Sequence, residues 1–157
     1  MCPVWRFKEV REPKFETEKL IMNRIREAGV FPMAFTGGEP LLRDDVSKIL
    51  KYSYDCGFFT IIITNGYFLT KKIKDFYRYV DRISVSLDSS IPSIHDSIRG
   101  IKIFDRAIRG IRAAVELGTN VVINCVISKY NLNHVENVLF LGEELGVSGI
   151  TFEPVQY

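Results

Sequence analysis

Short β-branched and aromatic runs alternate with amphipathic stretches along almost the whole chain, and this alternation limits the fold more than any other feature. Helical spacing predicts a helix over 16–28, stopped by Gly29. A strand follows over 32–36. The next helix is capped by Asp44 or Asp45, runs to 56 and ends at Gly57. A β-branched strand covers 59–64, and Thr70 caps a helix reaching 79. A strand over 82–87 leads into a long polar segment, 89–102. A helix over 104–117, closed by Gly118, precedes a strand at 121–127. Asn131 or Asn133 caps the last helix, with Val135, Val138, Leu139 and Leu145 on one face. A final strand spans 150–153. Strand–helix alternation of this kind implies right-handed βαβ units and a parallel sheet. There are five strands and five helices, and the chain opens on a helix where a strand is the norm. The expectation is that the first strand is missing, as if the chain begins just after it. No linker divides the sequence, so 1–157 reads as a single domain.

The 157 residues suffice for one real core. A formal net charge of +2 argues against nucleic-acid or anionic-membrane partners. The longest apolar runs, such as 58–63, are too short to span a bilayer. Three widely spaced cysteines, Cys2, Cys56 and Cys125, form no disulfide framework. With no signal peptide visible, a reducing cytoplasm is the expected compartment.

Each strand ends in polar or turn residues: Thr36-Gly37-Gly38-Glu39-Pro40, Thr64-Asn65-Gly66, Ser86-Leu87-Asp88, Asn124 and Glu153-Pro154. In a parallel sheet these ends share one rim, where ligands of such folds bind. Gly37 and Gly38 let backbone approach a ligand closely. The two-residue period places Ser84, Ser86 and Asp88 on one face of their strand and sets Asn124 opposite Cys125. A filled barrel interior would not be built from serines and an asparagine, so the polar face reads as the lining of an open, ligand-filled cleft. Any one of these elements alone is an ordinary turn or solvated edge; their convergence favours a ligand site.

In this order and spacing the motifs resemble the radical S-adenosylmethionine (radical SAM) superfamily over nearly the whole chain. Gly37-Gly38-Glu39-Pro40 is similar to the family's second-strand motif, where backbone and acid hold the methionine amine of the cofactor. Thr64-Asn65 resembles the third-strand end. Ser86, Asp88, His95-Asp96 and Arg99-Gly100 resemble the fourth-strand segment, whose serine contacts ribose and whose arginine can face the cofactor carboxylate. Asn124 matches a fifth-strand asparagine near the cofactor. The resemblance implies an open partial TIM-type (β/α)6 barrel of parallel strands. It also implies a 4Fe–4S cluster held by three cysteines, an external electron donor, and reductive cleavage of S-adenosylmethionine to a 5′-deoxyadenosyl radical. That radical would abstract hydrogen from a substrate; the segment around residues 86–108 looks most like members that modify peptides or build cofactors.

The chain departs from the family at the cluster motif, Cys-x-x-x-Cys-x-x-Cys. Here there is only Cys2-Pro3-Val4-Trp5. Cys2 corresponds to the middle ligand, with Trp5 in the last ligand's place, or to the last ligand, or a residue has been lost between Val4 and Trp5. In each case the chain supplies at most one cluster cysteine, since Cys56 and Cys125 read as inert buried thiols. His95 and His134 read as a loop and a helix-surface residue. Two functions remain open: a radical SAM enzyme core with an altered or cut cluster segment, and a cluster-free remnant that still binds S-adenosylmethionine or a nucleotide. No auxiliary-cluster domain is expected after 157, and the edge strand at 33–36 is a dimerisation risk.

Overall fold

A computed structural model describes residues 12–155. Five strands, β1 (Pro32–Phe35), β2 (Phe59–Thr64), β3 (Arg82–Ser86), β4 (Val121–Ile127) and β5 (Gly149–Pro154), form one sheet. All neighbours are parallel, in the order β1-β2-β3-β4-β5. The order never reverses, so the sheet winds as a TIM-type barrel segment and has no doubly wound switch point.

Among the described residues α1 (Phe15–Glu27) precedes β1, and five α-helices connect the strands: α2 (Val46–Asp55), α3 (Leu69–Phe76), α4 (Pro92–Arg99), α5 (Phe104–Glu116) and α6 (Glu136–Leu145). Right-handed crossovers carry α2, α3, α5 and α6 to the same face. There Ile62, Ile83, Val85, Val121, Ile123 and Cys125 join Leu50, Leu69, Ile73, Phe76, Ile111 and Val138 in the main core. A smaller cluster of Met22, Ile49 and Phe58 seats α1 against α2. Burial alternates strictly along β2, β3 and the first five residues of β4. The opposite face therefore carries Ile61, Ile63, Ser84, Ser86, Val122 and Asn124, half-buried and turned away from the described helices of the main core.

Four local expectations need correction. Residues 92–99, expected as part of a polar connection, form α4, which Pro92 starts and left-handed Gly100 stops. Asp45 stands at the N-cap of α2 as expected but makes no side-chain capping hydrogen bond; its carboxylate is drawn instead to Arg43. Thr70 lies inside α3, which begins at Leu69. Leu139, assigned to the packed face of α6, is exposed.

Candidate cofactor site at the strand ends

The rim begins at the glycine turn after β1. Gly37 has φ +142°, a conformation closed to L side chains. A Cβ added at Gly37 or Gly38 would meet nothing within 4 Å, so the turn borders open space. Pro40 then starts a short 3₁₀ turn, Pro40–Leu42. Glu39 does not stand free beside it. Its Oε1 accepts hydrogen bonds from the Thr64 hydroxyl at 2.6 Å and the Leu41 N–H at 3.1 Å. Its Oε2 accepts from the Asn65 N–H at 2.8 Å. The carboxylate thus ties the glycine turn to the end of β2. Thr64 extends the tie by accepting from the Gly66 N–H at 3.0 Å.

Behind the turn, Arg43 pairs with Glu18 on α1 at 2.7 Å and with Asp45 at 2.9 Å. Burial pushes the Glu18 carboxyl up despite Arg43, whereas the hydrogen bond from Arg43 holds Asp45 below the usual range. Lys72 donates to the Arg43 carbonyl at 2.8 Å. Sequence spacing gave no signal for this clamp, because its members come from three separate elements.

Across the middle strands the register sets Ser86 beside Asn124, and Asn124 beside Thr151. These three form a polar row on the face opposite the helix-side core. Asn124 Oδ1 is buried there and has no hydrogen-bond partner among the described residues. A buried orphan acceptor is costly unless a ligand or water completes it. Asn124 and Cys125 face opposite ways as expected, Cys125 being fully buried in the helix-side core.

Asp88 does not share the face of Ser84 and Ser86. The strand has ended by then, and Asp88 is 1% exposed. Arg99 Nη2 donates to its Oδ1 at 2.9 Å, and Arg99 Nε lies 2.7 Å from Oδ2. Oδ1 also accepts the Val126 N–H at 3.1 Å. Arg99 is therefore turned toward Asp88 by two of its nitrogens. The Asp88 carbonyl accepts from Asn131 Nδ2 at 2.7 Å, and the same amide donates to the Val126 carbonyl at 2.8 Å. Asn131, expected as a helix cap, is a buried tie between the ends of β3 and β4.

His95, expected on a loop, is wholly buried on α4. The Asp88 N–H donates to its Nδ1 at 3.1 Å, so the neutral ring carries its proton on Nε2. Burial first, then the Arg99 charge, lowers its pKa to about 4 against the pull of Asp88 and Asp96. Asp96 Oδ1 caps the start of α5 by accepting from the Ile103 and Phe104 N–H groups, each at 2.9 Å. His134 lies half-exposed in a 3₁₀ turn.

No group of three or more His, Cys, Asp or Glu side chains among the described residues is arranged to hold a metal ion. Cys2 lies outside those residues. Among them, no helix is long and apolar enough to cross a membrane.

An open, sequentially wound parallel sheet with a glycine turn and a polar row at its strand ends defines a partial TIM-type barrel core. Residues 1–142 match the radical SAM superfamily, and the chain belongs to that family. It is 34% identical over 131 residues to an AdoMet-dependent heme synthase of Methanosarcina barkeri, covering 82% of this chain and 38% of the relative. It is 29% identical over 139 residues to a PqqA peptide cyclase of Streptomyces rochei, covering 87% and 38%. The crystal structure of Streptococcus suis SuiB bound to S-adenosylmethionine superposes with a TM-score of 0.85 at 20% identity, covering 96% of this chain and 36% of SuiB. The chain thus spans well under half the length of these three proteins.

Proposed function

We propose that this chain is the cofactor-binding core of a radical SAM enzyme acting on a peptide or a cofactor precursor. The observation that carries the reading is the pairing of an open glycine turn with the Ser86–Asn124 row and its orphaned Asn124 Oδ1. A zwitterionic, ribose-bearing cofactor fits this set. The backbone of Gly37 and Gly38 receives the amine, with Glu39 fixing the turn to Thr64 and Asn65. Ser86 and Asn124 hold ribose and adenine polar atoms. The Arg99 edge not taken by Asp88 meets the carboxylate. When bound with a 4Fe–4S cluster, such a cofactor supplies one-electron cleavage of the sulfonium and hydrogen-atom abstraction from substrate. Cys2 is the one cysteine of this chain assigned to that cluster. The names of the relatives, a heme synthase and a peptide cyclase, support the substrate classes.

Calorimetric titration with S-adenosylmethionine tests the site. Saturable binding is expected, weakened about tenfold in N124A, because the variant removes a buried hydrogen bond to ligand. No binding by the parent at millimolar cofactor overturns the reading. Anaerobic iron–sulfide reconstitution separates the cluster-free alternative. An iron content far below about four per chain, with cofactor binding retained, favours a binding remnant.

A further inference from the structure

The sheet face opposite the helix-side core continues below the proposed cofactor row, and its base carries a second set of polar groups. Arg82 opens β3 and shares the face of Ser84 and Ser86. Ser86 lies four positions along the strand from Arg82, which places Arg82 roughly 13 Å beneath the rim row. Asn120, just before β4, continues the alternation of Val122 and Asn124. Its carbonyl accepts the Ile83 N–H at 2.9 Å, which fixes it beside Arg82. Arg82 Nε and Asn120 Oδ1 are both buried and both lack a hydrogen-bond partner among the described residues. Arg82 makes no salt bridge among them. Its guanidinium sits 5.7 Å from the ring centre of Phe59, which is on the same face of β2. Phe31 lies a further 6.0 Å beyond Phe59.

A buried guanidinium Nε without a partner is costly even on a half-buried arginine, and the guanidinium's fixed fork suits a planar, bidentate acceptor. Asn120 Oδ1 is itself an acceptor and suits a donor elsewhere on the same ligand, while the phenyl rings offer an apolar surface to a flat group. We propose that Arg82, Asn120 and Phe59 form a carboxylate-binding subsite at the base of the cleft, which anchors a carboxylate-bearing substrate below the cofactor. The assignment of this anion to the substrate rests on the cofactor reading above; the existence of the subsite does not. A carboxylate held here leaves the rest of the substrate extending up the cleft toward Ser86 and Asn124.

The test uses benzoate as probe and benzamide as its neutral isostere. The Arg82 Nε–H resonance, assigned by its loss in R82Q, is followed by NMR during each titration. Benzoate is expected to shift it saturably. Benzamide and inorganic phosphate are expected to bind at least about tenfold more weakly, the first for lack of charge and the second for lack of a face to lie on Phe59. N120D places a carboxylate beside Arg82 and keeps the fold's volume; it is expected to weaken benzoate at least about tenfold by pairing internally. S-adenosylmethionine affinity, measured by calorimetry, is expected to stay within about twofold in N120D, because the two sites are roughly 13 Å apart. Equal response to benzoate and benzamide, equal binding of phosphate, or undiminished benzoate affinity in N120D overturns the subsite. Benzoate binding without S-adenosylmethionine binding leaves the subsite standing and overturns the cofactor reading instead.

Discussion

Glu39 holds Asn65: its Oε2 accepts the Asn65 N–H at 2.8 Å while its Oε1 takes the Thr64 hydroxyl at 2.6 Å. The acid of the glycine motif is thus largely spent on protein donors. It acts as a strut that sets the distance between the β1 and β2 ends. In E39Q one acceptor oxygen becomes an amide nitrogen facing an N–H or O–H donor. The expected loss is about 1–3 kcal/mol in urea unfolding, with weaker S-adenosylmethionine binding. A variant as stable as the parent would show that the strut contributes nothing.

The Asp88–Arg99 pair invites a charge-only test. D88N keeps an acceptor for the Val126 N–H but leaves Arg99 without its counter-ion. Arg99 is 26% exposed, so water offsets part of the cost. The expected destabilisation is about 2 kcal/mol, below the range for fully buried pairs. A double-mutant cycle with R99M measures the coupling, and a value near zero rejects the pairing as a stabilising contact.

His95 makes stability depend on pH. Its folded pKa, about 4, lies below the ordinary 6.5, so the unfolded chain binds the proton more readily. Stability is then full above pH 6.5 and falls as the pH drops toward 4, by an amount on the order of 3 kcal/mol. H95Q keeps an acceptor for the Asp88 N–H and cannot titrate. Urea midpoints between pH 7 and 4.5 are expected to fall more in the parent than in H95Q, because the raised Glu18 carboxyl adds the same opposite trend to both proteins. The depressed carboxyls of Asp45 and Asp96 act below this window. Parallel slopes in the two proteins would remove His95 as the cause.

Cys125 is expected to resist alkylation. Burial, reinforced by Asp88, pushes its thiol up to about 12, and it is fully enclosed in the core. Site-resolved mass spectrometry after iodoacetamide at pH 8 is expected to find Cys56 labelled well ahead of Cys125 in the folded protein. Both label alike in urea. Prompt native labelling of Cys125 contradicts its placement on the helix face.

The strands and the sidedness of the sheet were legible because β-branched runs and two-residue alternation are local signals. Asn124 and Cys125 took opposite faces for that reason alone. The glycine turn and the Ser86–Asn124 row were legible too, since strand ends in a parallel sheet must converge. Helix α4 was not: its His95, Asp96 and Ser97 read as a polar loop, and tertiary burial of His95 against the Phe104 ring overrides that composition. Asn131 and Asp88 were misplaced because their roles depend on partners 38 to 43 residues away. No periodicity reports such a contact. Glu39 was read as a free ligand because motif position says nothing of the donors that fold back onto it.

Gly66 joins local conformation to the site. It has φ +80°, and an added Cβ would lie 2.9 Å from the Ala107 Cα on α5. That neighbour is backbone, so it cannot swing aside. Gly118 shares the left-handed conformation, at φ +73°, but its Cβ would meet nothing within 4 Å. G118A therefore isolates the conformational cost, about 1 kcal/mol. G66A adds the collision between the β2–α3 turn and α5, and about 3 kcal/mol is expected in total. The Gly66 N–H also supports Thr64, which supports Glu39. G66A is thus expected to weaken S-adenosylmethionine binding in calorimetry, while G118A, on the opposite end of α5, leaves it unchanged. Equal unfolding free energies for the two variants would mean that the turn and helix do not pack as closely as described.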